Sequence, residues 1–244
     1  MDLIGKFRIK ILNIIKDNFY DIYIMDSISE YKDVFYPTLN NSAVVRALLN
    51  DRVWEKKIVN IFEDHITFLN DLEKEGKAKD DVVIDIGTYI GLHTLKMSEL
   101  AKKVISFEPQ PTVSECVKKT LIKKNIKNVI HYDIALSNFK GYTHIHTNND
   151  GDSSLEGFRD HKFTNKYKCK VDILDNLIFE PVKLIKIDVE CSEWEVLCGA
   201  CRIIEESKPI IILETFKTKK NMTELEQFCD CFNYDYKYIS CDNY

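Results

Sequence analysis

The sequence predicts an α/β protein: a mostly parallel, doubly wound sheet with helices on both faces, preceded by a helical extension over residues 1–75. Three observations carry this prediction. Short apolar, β-branched runs recur after residue 80, as strands buried on both faces require. Helix-like stretches alternate with them, supplying the crossovers that parallel strands need. A glycine-bearing turn follows the first run, where open parallel sheets place their ligand crevice.

In chain order, the first 24 residues place Ile4, Phe7, Ile11, Ile14, Ile15 and Phe19 near helical spacing, with Lys6, Arg8, Lys10 and Lys16 among them. This predicts either a packing helix or an oligomer contact, the second of which would make a homo-oligomer through the N-terminal helices; a membrane-surface helix is the alternative. Further helices are expected from Ser42 to Leu49 and from about Val53 to Leu72. The second is amphipathic through Val53, Ile58, Ile61, Phe62, Ile66 and Leu69, and "EKEGKAKDD" closes it.

A second domain is expected over 76–244. Its strands are Val82 to Ile86, Val104 to Phe107, Val129 to Tyr132, Leu184 to Ile187 and Ile210 to Leu213. Its helices are predicted over about 92–101, 112–125, 193–207 and 222–233. Residues 138–178 break the rhythm. "GYTHIHT" and "KCKVDIL" read as strands around an exposed loop, "NNDGDSSLEG", forming an insertion at the ligand end of the sheet. The loop over 148–165 is the candidate for acceptor specificity or a lid, with a plain exposed connection as the alternative.

A length of 244 residues accommodates one catalytic domain with an extension. The net charge of -5 gives no electrostatic footprint for phosphate backbones, so nucleic acid is not an expected partner. No run of about 18 uninterrupted apolar residues exists, so no transmembrane segment is expected. The eight cysteines are irregularly spaced and no signal-cleavage site follows the first segment, which fits a reduced, cytoplasmic setting. Cys198 and Cys201 form a CxxC with Cys191 upstream but without a second ligand pair, so buried thiols are favoured over zinc. The lysine-, asparagine- and isoleucine-rich composition suggests an AT-rich genome, for example a large DNA virus in its infected host cell.

The ligand-end residues follow one another strand by strand. After the first strand come Asp85, Gly87 and Gly91; the glycines permit a tight turn and close approach of the backbone to a ligand. The GK[ST] signature of a P-loop is missing, and the third glycine of a dinucleotide turn would fall at Thr94. The acid before the turn suits a cofactor with a positively charged amino group. After the second strand, "FEPQP" offers Glu108 about 20 residues beyond the turn, where a carboxylate accepts both hydroxyls of a ribose. Pro109 and Pro111 end that strand and open the next helix. After the third strand, Asp133 faces an adenine amino group, with Ile134 and Ala135 as apolar walls. Acids for an amine, a ribose and an adenine describe S-adenosylmethionine better than a dinucleotide.

Over roughly residues 80–215 the chain resembles the FkbM-type family of S-adenosylmethionine-dependent methyltransferases. The resemblance rests on "VVIDIGTYIGLHTL", "VISFEPQP", "DIALSNFKG", "VDILDNL", "LIKIDVECSEWEVLCGA" and "KPIIILE". It implies a Rossmann-like class I methyltransferase fold and O-methylation of hydroxyls on natural products, sugars or glycans. The chain departs from the family pattern in two places. Thr88 and Tyr89 replace Ala-Asn in the first turn, where the tyrosine can stack on or cover the cofactor, and Cys191 replaces the glycine after "DVE".

Methyl transfer is an in-line displacement at an activated carbon, so the protein mainly positions the acceptor and helps remove its proton. Side chains two apart on a strand share a direction, which aligns Lys186, Asp188 and, if the strand continues, Glu190. Asp188 and Glu190 are expected to contact the acceptor hydroxyl or its sugar neighbours, with Lys186 holding their charges; a buried structural Lys186–Asp188 ion pair is the alternative. Glu193 and Glu214 are placed further out. Trp194 is a sugar-stacking platform or, preferably, a core residue. His93 suits a general base by its ordinary pKa, but a cofactor-side or helix-packing histidine is the favoured reading. His144 and His146, with Asp150 and Asp152, have no specific metal-ligand spacing, and no metal is expected. A small-molecule or glycan hydroxyl is thus the expected acceptor. A ribose 2'-O-methyltransferase on RNA and a non-catalytic binding module are the alternatives, with an NAD-dependent oxidoreductase behind them.

Overall fold

The computed structural model describes residues 10–14, 28–37, 42–74, 82–147, 153–155, 165–215 and 218–239. The chain runs through β1 (Lys10–Ile14), β2 (Ile28–Tyr31), β3 (Val34–Pro37), α1 (Ala43–Leu49) and α2 (Lys56–Lys74) before the first glycine turn. Then follow β4 (Val82–Ile86), α3 (Leu92–Leu100), β5 (Val104–Phe107), α4 (Pro111–Lys123), β6 (Val129–Tyr132) and β7 (Ala135–Leu136). The insertion carries β8 (Gly141–Thr147), β9 (Ser153–Leu155) and β10 (Asn165–Asp172). The remainder is β11 (Val182–Ile187), α5 (Glu193–Cys198), α6 (Cys201–Ser207), β12 (Ile210–Glu214), α7 (Lys219–Phe232) and β13 (Asp235–Ile239).

Seven strands form the central sheet in the order β13-β1-β12-β11-β4-β5-β6, and every recorded pairing in it is parallel. The order reverses after β4, between β11 and β5, which puts a crevice at the carboxyl ends of those strands. All five residues of β4, the four of β5 and the six of β11 are buried, because helices cover both faces. On one face Ile84, Ile86, Ile105 and Ile185 pack with Val196, Ile203 and Phe228 from α5, α6 and α7. On the other, Val83, Val104, Leu184 and Ile212 meet Ile58, Phe62 and Ile66 of α2 and Met97 of α3. The two-residue alternation along β4 therefore delivers Asp85 to the α2–α3 face, beside Val83.

The expected N-terminal helix is corrected in its described part. Lys10–Ile14 is a strand between β12 and β13, with Ile11 opposite Ile211 and Tyr236. A short run with two isoleucines fits either period, and two open strand edges supply a backbone ladder that a helix there could not use. Ile4, Phe7, Ile15 and Phe19 lie outside the described residues, as does most of the 148–165 loop. Within that loop, Ser153–Leu155 pairs with Ile145–Thr147 as a further strand. The helix from about Val53 begins at Lys56, leaving Val53 59% exposed outside its apolar stripe. The helix expected over 193–207 is two helices, broken at Gly199 and Ala200. A Cβ on Gly199 would stand 2.2 Å from the Ser137 carbonyl oxygen, so this break lies against the start of the insertion.

The break also turns Cys198 and Cys201 outward. Both are exposed, contrary to the expected buried thiols, and the Cys201 thiol lies 3.3 Å from the Cys198 carbonyl oxygen. No cluster of three metal-binding side chains occurs among the described residues, and no described helix is long and apolar enough to cross a membrane.

Candidate functional site

The turn after β4 is held from three sides. Gly87 and Thr88 donate their N–H groups to the Phe107 carbonyl, and Gly91 donates to the Thr88 carbonyl. The Thr88 hydroxyl donates to the Asp85 carbonyl at 3.2 Å. Gly87 adopts φ +78, and a Cβ there would lie 1.8 Å from the Asp188 carbonyl oxygen. The turn and the end of β11 are thus in backbone contact, and only glycine fits between them. Gly91, at φ +89, opens α3 without a side-chain cap.

Beneath the turn lies a buried polar cluster on the α2–α3 face. Asp85 is fully buried, accepts the Thr94 hydroxyl at 2.5 Å and stands 3.8 Å from the Lys186 ammonium. Lys186 in turn lies 3.2 Å from Asp188. Burial alone would push the Lys186 ammonium down, but Asp188, then Asp85, Glu214 and Glu55 outweigh it and hold the group above its ordinary value. Burial lifts the Asp85 carboxyl, opposed by Lys186 and Thr94. Asp188 differs from Asp85 in being open: its side chain keeps 23% exposure, against 0% for Asp85.

Glu108 accepts the N–H groups of Tyr89 and Gln110, each at 2.9 Å. Its carboxyl is nevertheless lifted to about 7, because burial outweighs those two bonds and Asp85 and Asp188 add repulsion. Half-buried Pro109 follows it directly. Asp133, at the end of β6, is turned onto α4, pairing with Lys118 and the Ser114 hydroxyl. Burial works against its charge, but Lys118 and Ser114 hold its carboxyl below the usual range. Since Ser114 gives its proton to Asp133, its oxygen accepts from His131 Nε2 at 2.9 Å; His131 Nδ1 then accepts the Ser106 hydroxyl, also at 2.9 Å. Ile134 and Ala135, both buried, follow Asp133.

Past β11 the extended run expected to reach Glu190 stops. Glu190 has φ 55 and Cys191 φ 83, so the chain turns away through two left-handed residues. Cys191 retains the conformation a glycine would take there, at a cost of roughly 1–2 kcal/mol. Cys191→Gly is accordingly expected to stabilise the fold by about 0.5–1 kcal/mol after the extra freedom of unfolded glycine is subtracted, seen as a raised thermal midpoint. Glu193 folds back to accept the Cys191 N–H at 2.9 Å and is buried, which lifts its carboxyl to about 7. Glu214 is buried within the field of Lys186 rather than further out. Trp194 packs against the main core, with its indole N–H buried.

His93 lies on the same face but is sealed. It is 6% exposed, 3.5 Å from Glu55 and edge-on to Phe62, and burial drives its pKa down to about 3. A general base must reach its acceptor, and this imidazole is enclosed by α2 instead. Of the candidate residues, Asp85, Lys186, Asp188, Glu108 and Glu214 therefore gather at one end of the sheet, Asp133 stands on the α4 side, and His93 sits underneath. Ser42, Glu55, Ser114, Lys118 and His131 also belong to this region and were not singled out from the sequence. Ser114 and Lys118, four apart on α4, were the detectable pair, since that spacing places them on one helix face.

The profile of the methyltransferase FkbM domain matches residues 85–238. Among solved structures, the methyltransferase FkbM from Methylobacillus flagellatus KT aligns at 18% identity and a TM-score of 0.49, covering 63% of this chain and 38% of that one. SMU.1697c from Streptococcus mutans, solved in complex with SAH, aligns at 16% identity and a TM-score of 0.39, covering 62% and 73%. A curated protein of Methanosphaera stadtmanae named "Probable ribosomal RNA small subunit methyltransferase A" is 34% identical over 58 residues, which is 24% of this chain and 21% of that protein. The chain thus spans 21% of that curated relative and 38% of the Methylobacillus structure. The domain match covers more than half of the chain and every strand from the end of β4 to β12: the protein belongs to the FkbM methyltransferase family, whose cofactor is S-adenosylmethionine.

Proposed function

We propose that the protein is an S-adenosylmethionine-dependent O-methyltransferase acting on a hydroxyl of a sugar, glycan or other small metabolite. The observation that carries this reading is the backbone contact between Gly87 and the Asp188 carbonyl, which sets the partly open Asp188 carboxylate beside the cofactor turn. In this reading Gly87, Thr88, Tyr89 and Gly91 shape the turn. Glu108 takes the ribose hydroxyls next to Pro109, and the Asp133, Ile134 and Ala135 segment borders the adenine, with the Asp133 side chain held on α4 by Lys118 and Ser114. Asp85 supplies negative charge under the cofactor's amino end. When bound, the cofactor supplies an electrophilic methyl group. Asp188 accepts the acceptor's proton and Lys186 keeps Asp188 ionised and oriented, while Glu190 lies in the left-handed turn, off the direction that Lys186 and Asp188 share. Glu193 fixes the turn carrying Glu190, while Trp194 and Glu214 back the site from the core.

The charge around Asp188 favours an uncharged acceptor over RNA. Asp85 and Asp188 repel charge on Glu108, and Asp188 and Glu190 repel charge on Glu193, so a phosphate backbone approaching Asp188 would meet a surplus of acids. The test is a panel of neutral glycosides, glycans and RNA incubated with labelled cofactor and read by mass spectrometry, for wild type and Asp188→Asn. Transfer to a hydroxyl is expected, reduced roughly 100-fold to 10,000-fold in the variant with cofactor affinity retained. Undiminished transfer by Asp188→Asn, or transfer to RNA alone, would remove the proposal.

Glu108 gives the cofactor affinity a pH signature. Ribose hydroxyls donate to the ionised carboxylate, so binding should tighten as pH rises through about 7, the value to which burial lifts this group. The fold responds oppositely. A carboxyl whose folded pKa is raised contributes stability below its unfolded value of about 4.3. That contribution is lost as pH rises through the folded value of about 7. Calorimetric titrations at pH 6 and 8, paired with melting curves without cofactor, should therefore show tighter binding and a lower melting temperature at the higher pH.

A further inference from the structure

The glycine turn is anchored by a residue from far upstream. Tyr89 occupies the left-handed region at φ 51, which a bulky side chain disfavours, so something must hold it there. Two bonds do. Its N–H donates to Glu108 Oε2 at 2.9 Å, and its hydroxyl lies 3.0 Å from the Ser42 hydroxyl oxygen. Ser42 is 4% exposed and caps α1, accepting the Val45 N–H at 3.1 Å, so its oxygen is fixed by a helix end. That helix is itself seated: Val45 packs with Ile90 of the turn and Val113 of α4. The β2–β3 hairpin is tied to the same α4, with the Phe35 N–H donating to the Thr120 hydroxyl at 2.9 Å.

We infer that Ser42 is a positioning residue for the cofactor: through the Tyr89 hydroxyl it holds the turn, and through the Tyr89 N–H it aims the Glu108 carboxylate at the ribose. The segment over 42–50 lies outside the matched 85–238 domain, so this anchor is supplied by the chain's own N-terminal part. It fits the tyrosine that stands in the turn. Without the hydroxyl-to-hydroxyl bond, the left-handed tyrosine can relax toward an ordinary conformation and withdraw its N–H from Glu108. The inference rests on the cofactor reading proposed above.

Calorimetry with S-adenosylmethionine and S-adenosylhomocysteine, on wild type, Tyr89→Phe, Ser42→Gly and the double variant, tests it. Glycine keeps most of the helix-cap value, and Tyr89→Phe removes one oxygen atom only, so both are expected to fold. Each single variant should weaken binding of both ligands about twofold to tenfold, the range of one net hydrogen bond. The double variant should bind no more weakly than the worse single one, because the two changes break the same bond. All four are compared well below their melting temperatures, where a purely structural role leaves affinity unmoved. Tight wild-type binding that Tyr89→Phe leaves unchanged, or losses that add in the double variant, would overturn the anchor alone. A wild-type protein that binds neither ligand would overturn the cofactor reading and the anchor with it.

Discussion

Gly87→Ala is expected to destabilise the protein by about 2–5 kcal/mol, combining roughly 1–2 for a left-handed alanine with roughly 1–3 for overpacking. The clash is with main chain: the new methyl would lie 1.8 Å from the Asp188 carbonyl oxygen and 2.7 Å from its carbon. A carbonyl cannot swing aside as a side-chain end can, and Asp188 is also pinned through its N–H to the Ile86 carbonyl at 3.0 Å. Relief therefore requires β4 and β11 to part at the crevice. Since whole domains are stable by only about 5–15 kcal/mol, the denaturant midpoint should fall steeply and cofactor binding should be lost with it. A midpoint shift worth less than about 1 kcal/mol would show that the turn sits away from β11 in solution.

Lys186→Met is expected to cost about 3–5 kcal/mol, the range for removing one partner of a buried pair. Methionine fills much of the same volume, so the loss is electrostatic: Asp85, fully buried, keeps Thr94 but loses its cation, and Asp188 loses its 3.2 Å partner. The pH dependence has a definite sign. In wild type the raised Lys186 pKa keeps the pair's contribution fully present below the lysine's unfolded value near 10.4 and loses it only at higher pH. In the variant the uncompensated carboxyls are lifted, so their penalty is relieved on acidification, and the difference from wild type should shrink from pH 8 to pH 5. Adding Asp85→Asn should recover about half of the loss or more. Equal destabilisation at both pH values and no recovery by Asp85→Asn would show that the lysine acts through packing alone.

Several strands could be read directly because they are short, mostly apolar runs rich in β-branched and aromatic residues. Val82–Ile86, Val104–Phe107 and Val129–Tyr132 occur with the predicted bounds. The strand Asp235–Ile239 gave no such sign, since its pattern is exposed at four of five positions and it lies at the edge of the sheet. Lys10–Ile14 is too short for periodicity to separate strand from helix. The split in the 193–207 helix depends on the Ser137 carbonyl, which lies more than fifty positions away and cannot be seen locally. The acids of the site were legible for a different reason: open parallel sheets put ligand residues just past their strands. Which way those acids turn was not legible. Asp133 turns to α4 because Ser114 and Lys118 wait there, and His93 is sealed because Glu55 arrives from the start of α2. Each of these partners lies on another element, so spacing along the chain carries no trace of them.

The close passage of Gly199 against Ser137 divides the insertion into a fixed root and an exchangeable rim. At the root, β7 pairs with Val171 and Asp172 of β10, and the Ser137 N–H donates to the Asp172 carbonyl at 3.1 Å. At the rim, among the described residues, β8 pairs with β9 and β10 in the four-stranded sheet. Hairpins of other lengths and chemistries grafted at the rim are expected to leave the parallel core undisturbed, provided the root keeps its register. New specificities can then be explored at little cost to folding, a division of labour that suits both laboratory recombination and natural divergence.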